Sequence, residues 1–222
     1  MSPSTPLRVL AVSASLVATV ALSGCKSSDF SSLSSGSGGS GSGSAAARTS
    51  SNGLLKIHDP KKVTYSVHFT TCHFGDDGQL PDPKCTPGAI DPDVTQSNLK
   101  STICKKGGYT KKVRPSSYRT GKAKYKVAYP AYGVSHSKKS ELDHLVSLEL
   151  GGSNDIANLW PEVGKEPNPK DKVENDLHEA VCDGDVSLAA AQEAIATDWE
   201  TADAKLGITS KDKTDDGARN GG

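Results

Sequence analysis

Asp143 and His144 stand side by side at the head of the apolar-rich run Leu142 to Leu150. A Gly151-Gly152-Ser153-Asn154 turn follows, then a second short run that carries Asn158. Aspartate ligates hard cations and a neutral imidazole takes a proton from water, so the pair points to metal-assisted hydrolysis. Strand geometry sets a condition on this. Alternation groups His144 with Leu142, Val146 and Leu148 and sends Asp143 to the opposite face. A shared site therefore requires the strand to bulge or end there. Gly151-Gly152 reads as a turn with positive φ rather than a phosphate cradle, because no helix start follows it.

The elements that must position this pair can be taken outward from it. Asn168-Pro169 has the form of a helix start, an N-cap followed by Pro at the first helical position. Val173, Leu177 and Val181 then recur at four-residue spacing, and Gly184 ends the helix. Ser187 caps a further helix with Leu188, Ala191, Ile195 and Trp199 inward. Upstream, Val63 to Thr70 alternates β-branched and aromatic residues and predicts a strand. Gly75 to Ala89 is a loop, and Thr95 to Cys104 has the spacing of a short helix. His58, His68 and His73 show no ligand-like spacing to an acid cluster and are expected on the surface or at a strand edge.

Charge is distributed unevenly. The 222-residue chain has a formal net charge of zero, yet twelve Lys or Arg and no Asp or Glu lie between Thr95 and Ser140. Five of the six tyrosines, Tyr109, Tyr118, Tyr125, Tyr129 and Tyr132, fall in the same part. Cations interleaved with aromatic rings suit a polyphosphate chain, and Lys105, Lys106, Lys111, Lys112, Arg114 and Arg119 are the candidate nucleic-acid contacts.

The N-terminal part is not domain-like. Residues 1–24 read as a signal: Arg8 supplies positive charge, and Val9 to Leu22 is an apolar core too short to span a bilayer. Leu22-Ser23-Gly24-Cys25 resembles the lipobox of bacterial lipoproteins, which implies lipid on Cys25, an exported chain and attachment to the outer face of the cell membrane. Residues 25–53 form a Ser/Gly-rich flexible tether, and residues 207–222 a disordered tail. The intervening domain, 54–206, is about 155 residues, enough for one core. It holds Cys72, Cys85, Cys104 and Cys182, an even number consistent with two disulfides in three possible pairings. Local closure of Cys72 with Cys85 and a long staple of Cys104 with Cys182 is the preferred one.

Strand, turn, strand, loop and helix, with Asp143-His144, Gly151-Gly152, Asn154 and Asn158-Leu159, resembles the HNH endonuclease family, the ββα-metal fold, across a core of 141–184. A bacterial and phage subgroup of that family is similar over a wider pattern. It takes in Thr86-Pro87-Gly88-Ala89, Gly108-Tyr109-Thr110 and Val113-Arg114-Pro115 before the Asp-His strand, and Lys170 to Asn175 and Ile195 to Trp199 after it. The resemblance implies an α+β fold with an N-terminal β/loop extension, C-terminal helices and disulfide support. It implies His144 as general base, Asp143 as a ligand of one divalent cation (Mg²⁺ or Mn²⁺ ahead of Zn²⁺), and Asn158 fixing the His-bearing strand. Asn168 is the first choice for a second ligand, with Asn175 and His178 behind it. The implied substrate is DNA, or RNA. Two departures stand out: Ser147 occupies a place where many relatives carry Pro, and no Cys-x-x-Cys pair is present. The alternative function is a non-catalytic surface lipoprotein that binds nucleic acid or another polyanion through the basic, Tyr-rich segment.

Overall fold

The computed structural model describes residues 48–49, 53–68, 70–75, 78–164 and 166–209. The signal segment, Cys25, nearly all of the tether, and the tail from residue 210 lie outside them. Helices and small sheets give an α+β fold. β1 (Arg48–Thr49), β2 (Leu55–Lys56) and β3 (Ala89–Ile90) form one sheet, β2 antiparallel to β1 and parallel to β3. β4 (Ser140–His144) and β5 (Leu159–Val163) form an antiparallel pair, with Asp143 opposite Trp160 and His144 opposite Leu159.

The basic segment is helical. α1 (Tyr109–Val113) is followed by α2 (Ser117–Ala123), a π turn (Lys124–Ala128) and α3 (Tyr129–Tyr132), the last three continuous. Pro130 has no N–H to offer the carbonyl four residues back, and the wider turn falls where a regular ladder would be broken. Gly133, at φ 65°, ends the helix in the left-handed region. Ala123 and Ala128 are fully buried against Val63, Ile156 and Leu159, so small side chains let this helix lie close over the β4–β5 pair.

α4 (Pro169–Asp183) follows the predicted bounds. Asn168 and Asp171 form a reciprocal capping box, Pro169 begins the first turn, and Gly184 closes the end at φ 86°. α5 (Leu188–Thr197) is capped by Ser187, whose side chain accepts from the Ala190 N–H, and a short α6 (Ala202–Lys205) follows. Leu177, Val181, Leu188, Ala191, Ile195 and Trp199 all enter the main core, joined there by Val146, Leu150 and Ile103. Leu206 and Ile208 also pack against it, the second from within the expected tail of 207–222.

Two expected elements differ. Among the described residues from 63 to 70 there is one bridge, Thr64 to Asp155, and no strand; the Thr64 hydroxyl and the Ser66 hydroxyl and N–H donate to the buried Asp155 carboxylate. Side-chain acceptance by Asp155 replaces the ladder that the β-branched pattern suggested. Thr95 to Cys104 holds only a single 3-10 turn, Leu99–Ser101, because Asn98 turns its side chain back onto the Thr95 N–H and the Asp93 carbonyl. Both disulfides of the preferred pairing are formed, Cys72–Cys85 and Cys104–Cys182, the second tying α4 to the segment after the 3-10 turn.

Candidate active site

β4 ends at His144, and the strand end meets the condition set by alternation. The chain leaves the ladder through Leu145 and Val146, makes two 3-10 turns, Leu148–Leu150 and Ile156–Asn158, and returns as β5. Asn158 holds this loop together. Its Nδ2 donates to the Val146 and Ser153 carbonyls, and its Oδ1 accepts from the Val146 N–H, each at 2.9 Å. The glycine turn is tight for two reasons. Gly151 sits at φ 74°, and a Cβ on Gly152 would lie 1.8 Å from the Val146 carbonyl oxygen.

His144 is buried, with a residual exposure of 6%. Its Nε2 lies 2.9 Å from Asn154 Oδ1, and Asn154 Nδ2 donates to the Val113 carbonyl at 3.0 Å. A carbonyl only accepts, so the amide orientation is fixed and its oxygen faces the imidazole. Nε2 must then carry the hydrogen, which leaves the lone pair of the neutral ring on Nδ1. Burial, against the opposing pull of Asp143, lowers the imidazole to about 4, so it is neutral at pH 7. Nδ1 looks toward Asp143 Oδ1 across 4.0 Å. Base and acid thus converge although they leave the strand on opposite sides.

Asp143 is held by a lysine from α4. The buried Lys170 ammonium donates to Asp143 Oδ2 at 2.7 Å, to the His144 carbonyl at 2.8 Å and to Glu174 Oε1. Its three N–H groups are thereby all used. Burial works to raise the Asp143 carboxyl, but Lys170 and His144 outweigh it and hold the group below its ordinary range. Burial would lower Lys170; the acidic groups around it, Asp143 first and then Glu174, more than reverse this. Glu162, opposite Glu141 in the ladder, is pushed up to about 10 by burial and by Asp143, so it is protonated and shares a hydrogen bond with Asp143. Glu174 is raised to about 7 by burial against the pull of Lys170, and Glu141 to about 7 by burial and then by Asp143. Ser147 has its own place here: its hydroxyl accepts from the Glu149 N–H and bonds Glu174, a contact that Pro could not make.

Asp143 Oδ2 is taken by the Lys170 ammonium at 2.7 Å, which leaves Oδ1 as the oxygen that could meet a hard divalent ion. Asp143, Glu162 and Glu174 gather around the Lys170 ammonium, and every donor among these three is oxygen. Asn168 is placed differently from the expectation: its Oδ1 accepts from the Lys170 N–H at 3.2 Å as the helix cap. Asn175 donates to the Asp171 carbonyl, and His178 Nε2 donates to the Ile103 carbonyl at 3.0 Å. From α4, the side chain that reaches Asp143 is Lys170. Sequence reasoning passed over Lys170, Glu174, Glu162 and the role of Asn154. A lysine and a glutamate four apart on a helix normally mark a solvated face, and only the missing exposure distinguishes this pair.

Over the other face of β4 lies a cavity of about 400 Å³, walled by His144, Leu142, Asn154, Arg114, Lys124 and Tyr125, among others. Of the six expected nucleic-acid contacts, Arg114 reaches it. Lys105, Lys106, Lys111, Lys112 and Arg119 are exposed on α1, α2 and the loop before them. Lys124 takes a place on the wall instead, its ammonium donating to the Ser140 carbonyl at 2.8 Å. Elsewhere among the described residues, two groups each bring three side chains of ligand type together. Cys104, His178 and Cys182 have both sulfurs committed to the disulfide. His58 lies with Asp91 and Asp93, an acid neighbourhood that sequence spacing did not disclose. No known family model, curated protein or solved structure matches the chain.

Proposed function

We propose that the chain is a metal-dependent endonuclease of the ββα-metal (HNH) type, hydrolysing phosphodiester bonds in DNA or RNA with His144 as general base. The observation that carries this reading is the orientation of His144. Asn154 holds its N–H, and its lone pair faces Asp143 beside a cavity rimmed by Arg114 and Lys124. A base so placed would take the proton of a water held at Asp143, and the two cations on the cavity wall would hold a phosphate. Lys170 is a positioning residue, fixing the backbone of His144 and one oxygen of Asp143 from the same ammonium. Asn158 acts likewise through the loop. Asp143 would hold the divalent ion, Mg²⁺ or Mn²⁺ ahead of Zn²⁺, and Glu162 would join it only on losing its proton. A bound ion would neutralise phosphate charge and stabilise the departing oxygen.

The proposal extends to location: an exported protein, held at the membrane by lipid on Cys25 and lifted from it by the tether. Two disulfides accord with an oxidising compartment. No described helix is long and apolar enough to cross a membrane. The test is incubation of the full chain with circular DNA and Mg²⁺ or Mn²⁺. Cleavage is expected to stop in excess chelator, and cleavage that persists there would refute the metal requirement.

A further inference from the structure

We propose that the substrate is engaged as a single strand, with an unpaired base stacking beside the His144 cavity on Tyr125 and His136; this rests on the nuclease reading of that cavity. A second cavity of about 430 Å³, lined by Tyr125, Tyr129, His136, Lys138 and Lys139 among others, shares Lys124 and Tyr125 with the first. One cavity therefore presents the candidate base and cations, and the adjoining one presents rings and cations. Glu166 stands on the rim of the second as a countercharge.

The rings are disposed to accept another ring. Tyr125 and His136 are exposed, with centroids 4.6 Å apart and planes 52° apart, and Tyr125 meets the buried Tyr129 at 72°. Among the described residues, the two rings beside Tyr125 are both inclined to it, not flat on it. Lys124 sits 5.5 Å from the Tyr125 centroid and 5.2 Å from that of Tyr129, which keeps a cation at the junction of the two cavities. Further back along the same helix, Tyr118 is exposed with Lys122 4.7 Å over its ring, repeating the pairing. Large exposed aromatics are costly to leave in water, and alternation with lysine along one helix is the composition of a stacking track. In a duplex the bases already stack on one another, so rings set in a cavity wall can reach only a base that is out of the helix.

Binding to the full chain in excess chelator tests this without cleavage. The probes are a dye-labelled oligothymidylate of about twelve nucleotides and a hairpin duplex of equal charge, followed by fluorescence anisotropy. The single strand is expected to bind about tenfold or more tightly than the duplex. Tyr125→Ala should remove about tenfold of single-strand affinity while leaving duplex affinity unchanged, and Tyr125→Phe should restore it. Lys138→Ala with Lys139→Ala should instead flatten the salt dependence. Equal affinity for the two probes, or single-strand binding unchanged in Tyr125→Ala, would overturn the proposal. If Tyr125→Ala melts early by circular dichroism, His136→Ala carries the same test from an exposed position. Because no metal is present, loss of strand preference and loss of nuclease activity are separate failures.

Discussion

At the scale of the residue, the account turns on how few atoms define the environment of His144. Two hydrogen bonds through Asn154 set its tautomer, and one lysine sets the carbonyl behind it and the carboxylate beside it. Asn154→Asp would place an anion where Oδ1 now accepts, favouring the imidazolium and removing the free lone pair. Its measured outcome should be lost cleavage with the fold retained by circular dichroism. Lys170 makes the sharper stability prediction. Its side chain has no exposure, and removing one partner of a buried ion pair leaves the others uncompensated. Lys170→Met should therefore cost about 3–5 kcal/mol in chemical denaturation. An unchanged midpoint would show that the carboxyl groups simply protonate and repack.

Elements bring these residues together, and here stability rather than activity is the measure. The loop between β4 and β5 approaches itself so closely at Gly152 that Gly152→Ala must move the Val146 carbonyl or fail to fold; a protein melting at the wild-type temperature would contradict the close contact. At the other side of α4, Asp203 of α6 is raised from 3.8 to about 6 by burial and by Asp176, with which it shares a hydrogen bond. A carboxyl whose folded value lies above its unfolded one stabilises the fold while protonated, at pH below about 4. That contribution is lost as pH rises through about 6. Asp203→Asn should thus raise the melting temperature at pH 7 and leave it nearly unchanged at pH 3.5. Helix α4 was legible because Asn168, Pro169 and Gly184 are local signals that act on the backbone beside them. The helix from Ser117 to Tyr132 was not, since four lysines or arginines and Pro130 near its end obscure its small buried stripe of Ala123, Ala128 and Tyr132.

For the whole molecule, the neutral total charge conceals a division of labour. The basic helices cover one side of the β4–β5 pair and α4 brings Lys170 and Glu174 to the acids of the two strands, so the candidate site lies where the two meet. The Asp143–His144 pair was visible in the sequence as chemistry, but the group that meets it was not. Asn168 has the right separation from Asn158, and in the structure its side-chain oxygen serves as the cap of α4. The Cys104–Cys182 bond closes a long segment around this arrangement. Replacing both cysteines with Ala should cost about 2–5 kcal/mol, read from denaturation midpoints. The most direct measurement is cleavage of single-stranded and supercoiled circular DNA by the full chain in Mg²⁺ or Mn²⁺, comparing wild type with His144→Ala. The account predicts cleavage by the wild type and a rate lower by about a hundred- to ten-thousandfold in the variant, with an unchanged circular dichroism spectrum. A folded wild-type chain that leaves both DNAs intact, or a His144→Ala variant that cuts at the wild-type rate, would contradict it.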